Sequence, residues 1–207
     1  MGTGTDLVWY ASYGSNMHAE RFRCYLEGGV PPGGRRACPG CRDPRPPRRA
    51  AGHLVPGGVY FATESRVWGG GRAFFDPDLP GSAALRAYLI TTGQFADVVA
   101  QEMYREPGTD LDLREVLDTG RCALGPGRYE TLLRAGDLDG HPVLTFTAPW
   151  SSAEVAPRAP SAPYLRVILA GLRTGQGWDL GTAAAHLAAM PGARGRWAPS
   201  EIAALAG

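Results

Sequence analysis

The chain of 207 residues contains no lysine; all 21 of its basic residues are arginine. That absence excludes Schiff-base chemistry on a lysine amine, attachment of pyridoxal phosphate and a phosphate loop built on lysine. No run approaches the roughly 20 apolar residues that span a bilayer. Residues 1–6 carry neither a basic cluster nor an apolar signal core, so the expected compartment is the cytoplasm. An excess of one charge sign is missing too. The 21 basic and 20 acidic residues leave a net charge of +1, which argues against a basic nucleic-acid binder or an acidic tail. Cysteines are scarce, at four, and so are histidines, also four. Cys38 and Cys41 have the spacing of half a zinc site, but no second pair with metal-ligand spacing follows. They read as two reduced thiols in a Pro/Arg loop, and neither a metal nor an organic cofactor is expected. The bias toward Gly, Ala, Arg and Pro is what GC-rich codon usage produces.

The usual nucleophile arrangements are absent as well. Tyr13, Gly14, Ser15 and Asn16 do not fit a nucleophile elbow. Gly69, Gly70 and Gly71 lie in a strand-like stretch with no helix behind them, unlike a dinucleotide site. Arg35, Arg36, Arg42, Arg45, Arg48 and Arg49 form a basic cluster around one acid, Asp43. The cluster reads as a solvated loop, with binding of an anion or of RNA phosphates as the alternative.

What is present is a succession of short elements. Residues 7–12 read as a buried strand ending in a turn at 13–16, and 17–27 as a helix with Met17, Arg21, Cys24 and Tyr25 on one side. Residues 30–56 read as a long connection, with short strands within it as the alternative. Strands are expected at 57–61, 68–75 and 84–90, the last with Leu85, Ala87 and Leu89 alternating against Arg86 and Tyr88. Residues 128–133 and 142–147 bracket a hairpin turn at 137–140. Late helices are expected from a cap at Ser161 to a stop at Gly175, and over 179–190. No internal repeat is evident, and one domain over residues 1–207 is expected.

The central helix is the most informative element. Thr91 and Gln94 fit a capping box. Phe95, Val98, Val99 and Glu102 then follow at i, i+3, i+4 and i+7, on one face. Asp97, Gln101 and Arg105 fall on the polar side. A carboxylate on an apolar face pays a desolvation cost, and its pKa rises. Periodicity leaves two readings of Glu102 open: a functional acid/base, or a residue at the edge of the stripe paired with an arginine.

A strand running into Tyr13, Gly14, Ser15, Asn16 and Met17, followed much later by a helical Glu102, resembles the γ-glutamylcyclotransferase-like family. The resemblance extends over most of the chain: Trp68 to Gly71 before the helix, Gly127 and Tyr129 opening a later strand, Phe146 at a pocket aromatic, and Ser161, Tyr164 and Gly171 in a late helix. The departures are Ala11 and Ser12 before the motif, Ala100 and Met103 around the glutamate, and a long segment between Glu102 and Tyr129.

The resemblance implies one α+β domain with a mixed, barrel-like sheet and flanking helices. It implies an enzyme in which the α-amine of a γ-glutamyl amide attacks its own γ-carbonyl, releasing 5-oxoproline and the free amine. Glu102 would be the acid/base. Tyr13, Gly14, Ser15, Asn16, Met17, Tyr129 and Phe146 would bind the small-molecule γ-glutamyl substrate. Because the substrate supplies the nucleophile, the missing Lys, Ser and metal arrangements are not needed. The leaving amine stays open among an amino acid, a peptide and a biosynthetic intermediate that carries a removable γ-glutamyl group. Segments 35–49 and 105–126 are expected to read it. A related amide hydrolase or acyltransferase on the same scaffold, and a non-catalytic binding module, are the alternatives. No nucleic-acid or membrane partner is expected, and a homodimer is left open.

Overall fold

The computed structural model describes residues 7–32, 34 and 36–207. Residues 1–6 and Arg35, which entered the expectations above, lie outside the described residues. In chain order the elements are β1 (Leu7–Ser12), a 3-10 turn (Ser15–Met17), α1 (Ala19–Glu27), β2 (Arg49–Pro56), β3 (Gly58–Glu64), β4 (Gly71–Asp76) and β5 (Ser82–Thr91). There follow α2 (Thr92–Glu102), α3 (Arg114–Thr119), β6 (Arg121–Ala123), β7 (Thr131–Leu138), β8 (His141–Thr147), α4 (Ala162–Gln176), α5 (Leu180–Ala189) and α6 (Pro199–Ala204). The class is α+β. One sheet has six strands in the order β2-β5-β1-β8-β7-β6, and a separate sheet pairs β3 with β4. The larger sheet is mixed: β1 runs parallel to β8, while β7 is antiparallel to both β6 and β8.

The chain divides into two compact units, neither contiguous in sequence. Among the described residues the first comprises 7–11, 22–51 and 87–149. Its core gathers Val8 and Tyr10 of β1, Phe22 and Leu26 of α1, Tyr88 and Ile90 of β5, Phe95, Val98 and Val99 of α2, and Leu132, Leu144 and Phe146 of β7 and β8. Aromatic rings carry much of this packing. Tyr10 stacks on Phe146 at 5.5 Å and Phe22 on Tyr88 at 4.2 Å between ring centroids. Each fully buried ring of this size contributes roughly 1.5–3 kcal/mol of transfer free energy. Tyr88, expected on the polar side of its strand, is therefore core: β5 is covered on both faces, as its burial pattern shows.

The second unit comprises residues 12–21, 52–86 and 150–207. It holds the β3–β4 pair, the 3-10 turn and helices α4 to α6. The helix stops follow backbone conformation. α4 ends at Gly177, which takes the left-handed φ of 69°, and continues through Gly175, the expected stop. α5 begins at Asp179, whose carboxylate accepts from Thr182 N at 2.8 Å. The expected strand at 68–75 starts only at Gly71, because Gly69 and Gly70 both adopt positive φ. The short α6 was not expected, and β2 is a strand within the stretch read as a long connection with room for short strands. The hairpin turn is as expected: Asp139 and Gly140 have φ of 47° and 78° between β7 and β8.

Candidate active site

The helix bearing Glu102 is set by local chemistry at its start. Thr91 Oγ1 accepts from Gln94 N at 3.0 Å, and Gln94 Oε1 accepts from Thr91 N at 3.0 Å, closing the capping box. From that fixed start, Phe95, Val98 and Val99 are buried and Glu102 follows half-buried at the end of the helix. The Glu102 carboxylate is engaged by Tyr25 of α1, whose phenol donates a hydrogen bond to it. Burial first, and then the charge of Glu102, hold the Tyr25 phenol well above the usual tyrosine range. Tyr25 thus stays protonated, and donates, across the whole neutral and mildly alkaline range. Tyr25 was visible in the sequence only as one member of a helix face.

The other side of α2 differs from its expected polar character. Asp97 is 1% exposed. Its carboxylate accepts from Arg42 N at 2.9 Å, Arg42 Nε at 3.0 Å and Gly108 N at 3.2 Å. Gln101 donates to Tyr25 O at 3.0 Å. The segments at 40–45 and 105–110 are pinned to α2 by these bonds, so the helix is covered where periodicity places solvent. Arg42 also reaches Asp110 at 2.6 Å, Arg45 pairs with Asp43 at 2.7 Å and Arg49 with Asp139 at 2.8 Å. Half of the arginine cluster thus has carboxylate partners within the chain. Cys41 lies in the same cover, half-buried, with its thiol 3.3 Å from Tyr25 O; burial, then the charges of Asp97 and Asp43, push its pKa up to about 12. It is a poor nucleophile in that setting. Among the described residues no group of three His, Cys, Asp or Glu side chains is placed to hold a metal ion.

Tyr129 and Phe146 belong to the same unit as Glu102. Their rings meet edge to face at 5.9 Å, and Phe146 also stacks on Tyr10. Tyr129 packs half-buried against the core that holds Val99. Within the first unit the structure therefore gathers three of the expected residues, Glu102, Tyr129 and Phe146, around one aromatic core.

Tyr13 to Met17 belong to the second unit. Met17 N donates to Gly14 O at 3.0 Å and His18 N to Ser15 O at 3.1 Å, which closes the 3-10 turn. Tyr13, Asn16 and Met17 are buried, while Gly14 and Ser15 are half-buried. α4 forms the bed of the turn. A Cβ on Gly14 would lie 3.0 Å from the Tyr164 hydroxyl, and one on Gly171 would lie 2.5 Å from Met17 Cβ and 2.7 Å from its carbonyl carbon. Tyr164 is fixed in turn by accepting from Ala73 N at 3.3 Å and by stacking on Trp68 at 5.2 Å.

No family model matches the chain. Among solved structures, a gamma-glutamyl cyclotransferase has a TM-score of 0.51 at 13% identity, covering 95% of both chains. An uncharacterized human protein, loc79017, has a TM-score of 0.51 at 14% identity over 90% of this chain and 89% of that one. The chain therefore has the γ-glutamyl cyclotransferase type of fold. Histone deacetylase 5 of Arabidopsis thaliana is 34% identical over an alignment of 186 residues that covers 81% of this chain and 28% of that protein. The chain thus spans little more than a quarter of that curated relative, and the activity named for the whole protein is not carried over to it.

Proposed function

We propose that this chain is a γ-glutamylcyclotransferase-like enzyme that cleaves a γ-glutamyl amide by ring closure. The observation that carries the reading is Glu102: a carboxylate ending an apolar helix face, oriented by the Tyr25 phenol, on a chain with the cyclotransferase fold. In this reaction Glu102 takes a proton from the substrate α-ammonium. The freed amine attacks the γ-carbonyl carbon, the new C–N bond closes 5-oxoproline, and the original amide C–N bond breaks. Glu102 passes that proton, and the second one that the ring nitrogen sheds as the lactam forms, to the departing nitrogen, which leaves as its ammonium ion. The proposed role of residues 13–17 is to bind the glutamyl half through backbone N–H groups. Tyr129 and Phe146 are assigned as apolar walls for the substrate. Nucleophile and electrophile belong to one molecule, so holding the folded-back conformer supplies much of the rate, and no cofactor takes part.

The test is incubation with a panel of γ-glutamyl amines, with mass spectrometry for 5-oxoproline. Release of free glutamate instead would indicate hydrolysis. Glu102→Gln keeps the shape and removes the proton acceptor; kcat should fall by about a hundredfold or more with the fold intact. Near-normal turnover in that variant would remove Glu102 from the mechanism. For the turn, Ser15→Ala should be mild. Gly14→Val is a blunt probe because its side chain also meets Tyr164.

A further inference from the structure

Three segments of the second unit, β3, the connection at 157–159 and the turn at 190–196, are locked together at one point. Phe61 N donates to Pro191 O at 2.8 Å, and Arg158 N to Phe61 O at 2.9 Å. Gly192 closes the junction with a φ of 91°; a Cβ there would lie 2.6 Å from Phe61 O and 2.9 Å from Arg158 O. Trp197 Nε1 donates to Pro160 O at 3.0 Å and ties the same segments a second time. This junction borders a hollow of about 540 Å³ whose walls include Arg158, Arg194 and Arg196 and no acidic residue. Arg158 pairs with Glu64 at 3.0 Å, but both side chains are at least half in solvent, where such a pair is weak. Arg194 donates to Ala189 O from Nε at 3.0 Å and from Nη2 at 2.8 Å, which fixes the guanidinium plane and leaves the Nη1 donors over. Arg196 is exposed and has no carboxylate partner among the described residues.

Pro191 and Arg194 also border a second hollow, of about 310 Å³, so the two adjoin. Its walls are mainly apolar, with Val59, Leu79, Pro80 and Met190 among them. Besides Arg194 its one ionisable wall residue is His186, whose ring meets Trp178 edge to face at 5.0 Å and whose pKa is lowered by burial. The imidazole is therefore neutral at neutral pH, and the groove is charged only at the Arg194 end. Both volumes are in the range of small-molecule sites.

We propose that the two hollows form one binding site for an organic phosphate, with its apolar body in the groove beside Met190 and its phosphate among Arg158, Arg194 and Arg196. A phosphate dianion presents three oxygens and accepts from several guanidinium forks at once, whereas a carboxylate presents two. Inorganic phosphate would leave the groove unfilled, and an uncharged apolar ligand would leave the arginines unmatched. None of these residues is assigned to the γ-glutamyl substrate, so the proposal stands apart from the cyclotransferase reading.

Four probes separate the possibilities in calorimetric titrations of the full chain at neutral pH: hexyl phosphate, hexanoate, hexanol and inorganic phosphate. Hexyl phosphate should bind saturably, and about tenfold or more tightly than each of the others. Arg196→Gln should weaken it by about tenfold, the loss expected for a charge-assisted contact, and Arg196→Glu by more. Arg194→Gln should act in the same direction. Arg173 is exposed on α4 and borders neither hollow, so Arg173→Gln should leave the affinity unchanged. No saturable binding of hexyl phosphate overturns the site. Inorganic phosphate binding as tightly removes the groove from it, hexanol binding as tightly removes the arginines, and hexanoate binding as tightly removes the choice of phosphate; each of these overturns the proposal. So does equal weakening by the Arg173 and Arg196 variants, which would show only a general attraction of anions to the surface.

Discussion

The segment that presents Glu102 and the turn at residues 13–17 are held by different means. Around α2 the fixing contacts are polar and enclosed: Asp97 accepts three N–H groups, Gln101 ties the helix to the backbone of α1, and Tyr25 orients Glu102. Around the turn, hydrogen bonds within it and from Arg86 to Met17 O are joined by tight steric contacts: Gly171 lets α4 approach Met17 more closely than any side chain would permit, and a Cβ on Gly14 would lie 3.0 Å from the Tyr164 hydroxyl. The first arrangement should tolerate changes of size at its rim but not loss of a charge or an acceptor. The second should tolerate loss of polar atoms but not the addition of one carbon.

Asp97→Ala should break this contrast most severely. It strips the acceptor from Arg42 and from two backbone amides, and leaves those donors against a buried face. With Arg42 partly in solvent, a loss of about 2–3 kcal/mol is expected, read as a lowered urea midpoint. Asp97→Asn should recover part of it. Next comes Gly171→Ala. One methyl group against the Met17 backbone should cost about 1–3 kcal/mol and raise KM for a γ-glutamyl substrate more than it lowers kcat. Gly175→Ala, on the same helix, is the control. The nearest atoms to its methyl belong to the flexible Arg86 side chain, at 3.3 Å, so helix propensity should dominate and stability should not fall. Equal effects of the two alanines would show that close approach at Met17 does not matter.

The smallest effect at neutral pH is that of Cys41→Ser, and it should grow in alkali. The folded pKa of Cys41 is raised to about 12 from an ordinary value near 9. The unfolded chain therefore releases this proton first, and stability contributed by the neutral thiol is complete below about pH 9 and lost as pH rises toward 12. The serine variant, which does not ionise there, should show a shallower alkaline decline in chemical denaturation. An unchanged slope would assign the decline to other groups, of which Tyr25 is one.

Elements whose limits are written in local chemistry could be read from the sequence. The Thr91–Gln94 capping box, the Asp179 cap and the Asp139–Gly140 turn each place an element boundary with no help from tertiary contacts. The apolar face ending in Glu102 was legible for the same reason, a period of 3.6 residues. The covering of the opposite face was not. Asp97 is buried by Arg42 and Gly108, which are distant in sequence from α2 or follow it in a loop, and no periodicity encodes that. Tyr25 shows the same limit: its helix face was visible, its bond to Glu102 was not. The arginine cluster at 35–49 looked like one feature in sequence. In the fold, Arg42, Arg45 and Arg49 have separate carboxylate partners. Arg128, which stands alone in sequence, meets Arg36 at the Tyr104 ring.

The parallel pairing of β1 with β8 also constrains the order in which the chain assembles. Trp9 aligns with Val143 and Tyr10 with Leu144, and Thr145 Oγ1 donates to Ala11 O, 134 residues away in sequence. On a ribosome, β1 leaves the exit tunnel long before its partner is synthesised, and until then its apolar run has no neighbour on that side. Contacts of such separation slow folding, and an unpaired strand edge is exposed to association with other chains in the meantime. The indole of Trp9, fully enclosed and donating to Leu138 O at 2.8 Å, reports when that wait ends. Its fluorescence should change only in the last phase of refolding, when the β7–β8 hairpin docks on the first strand.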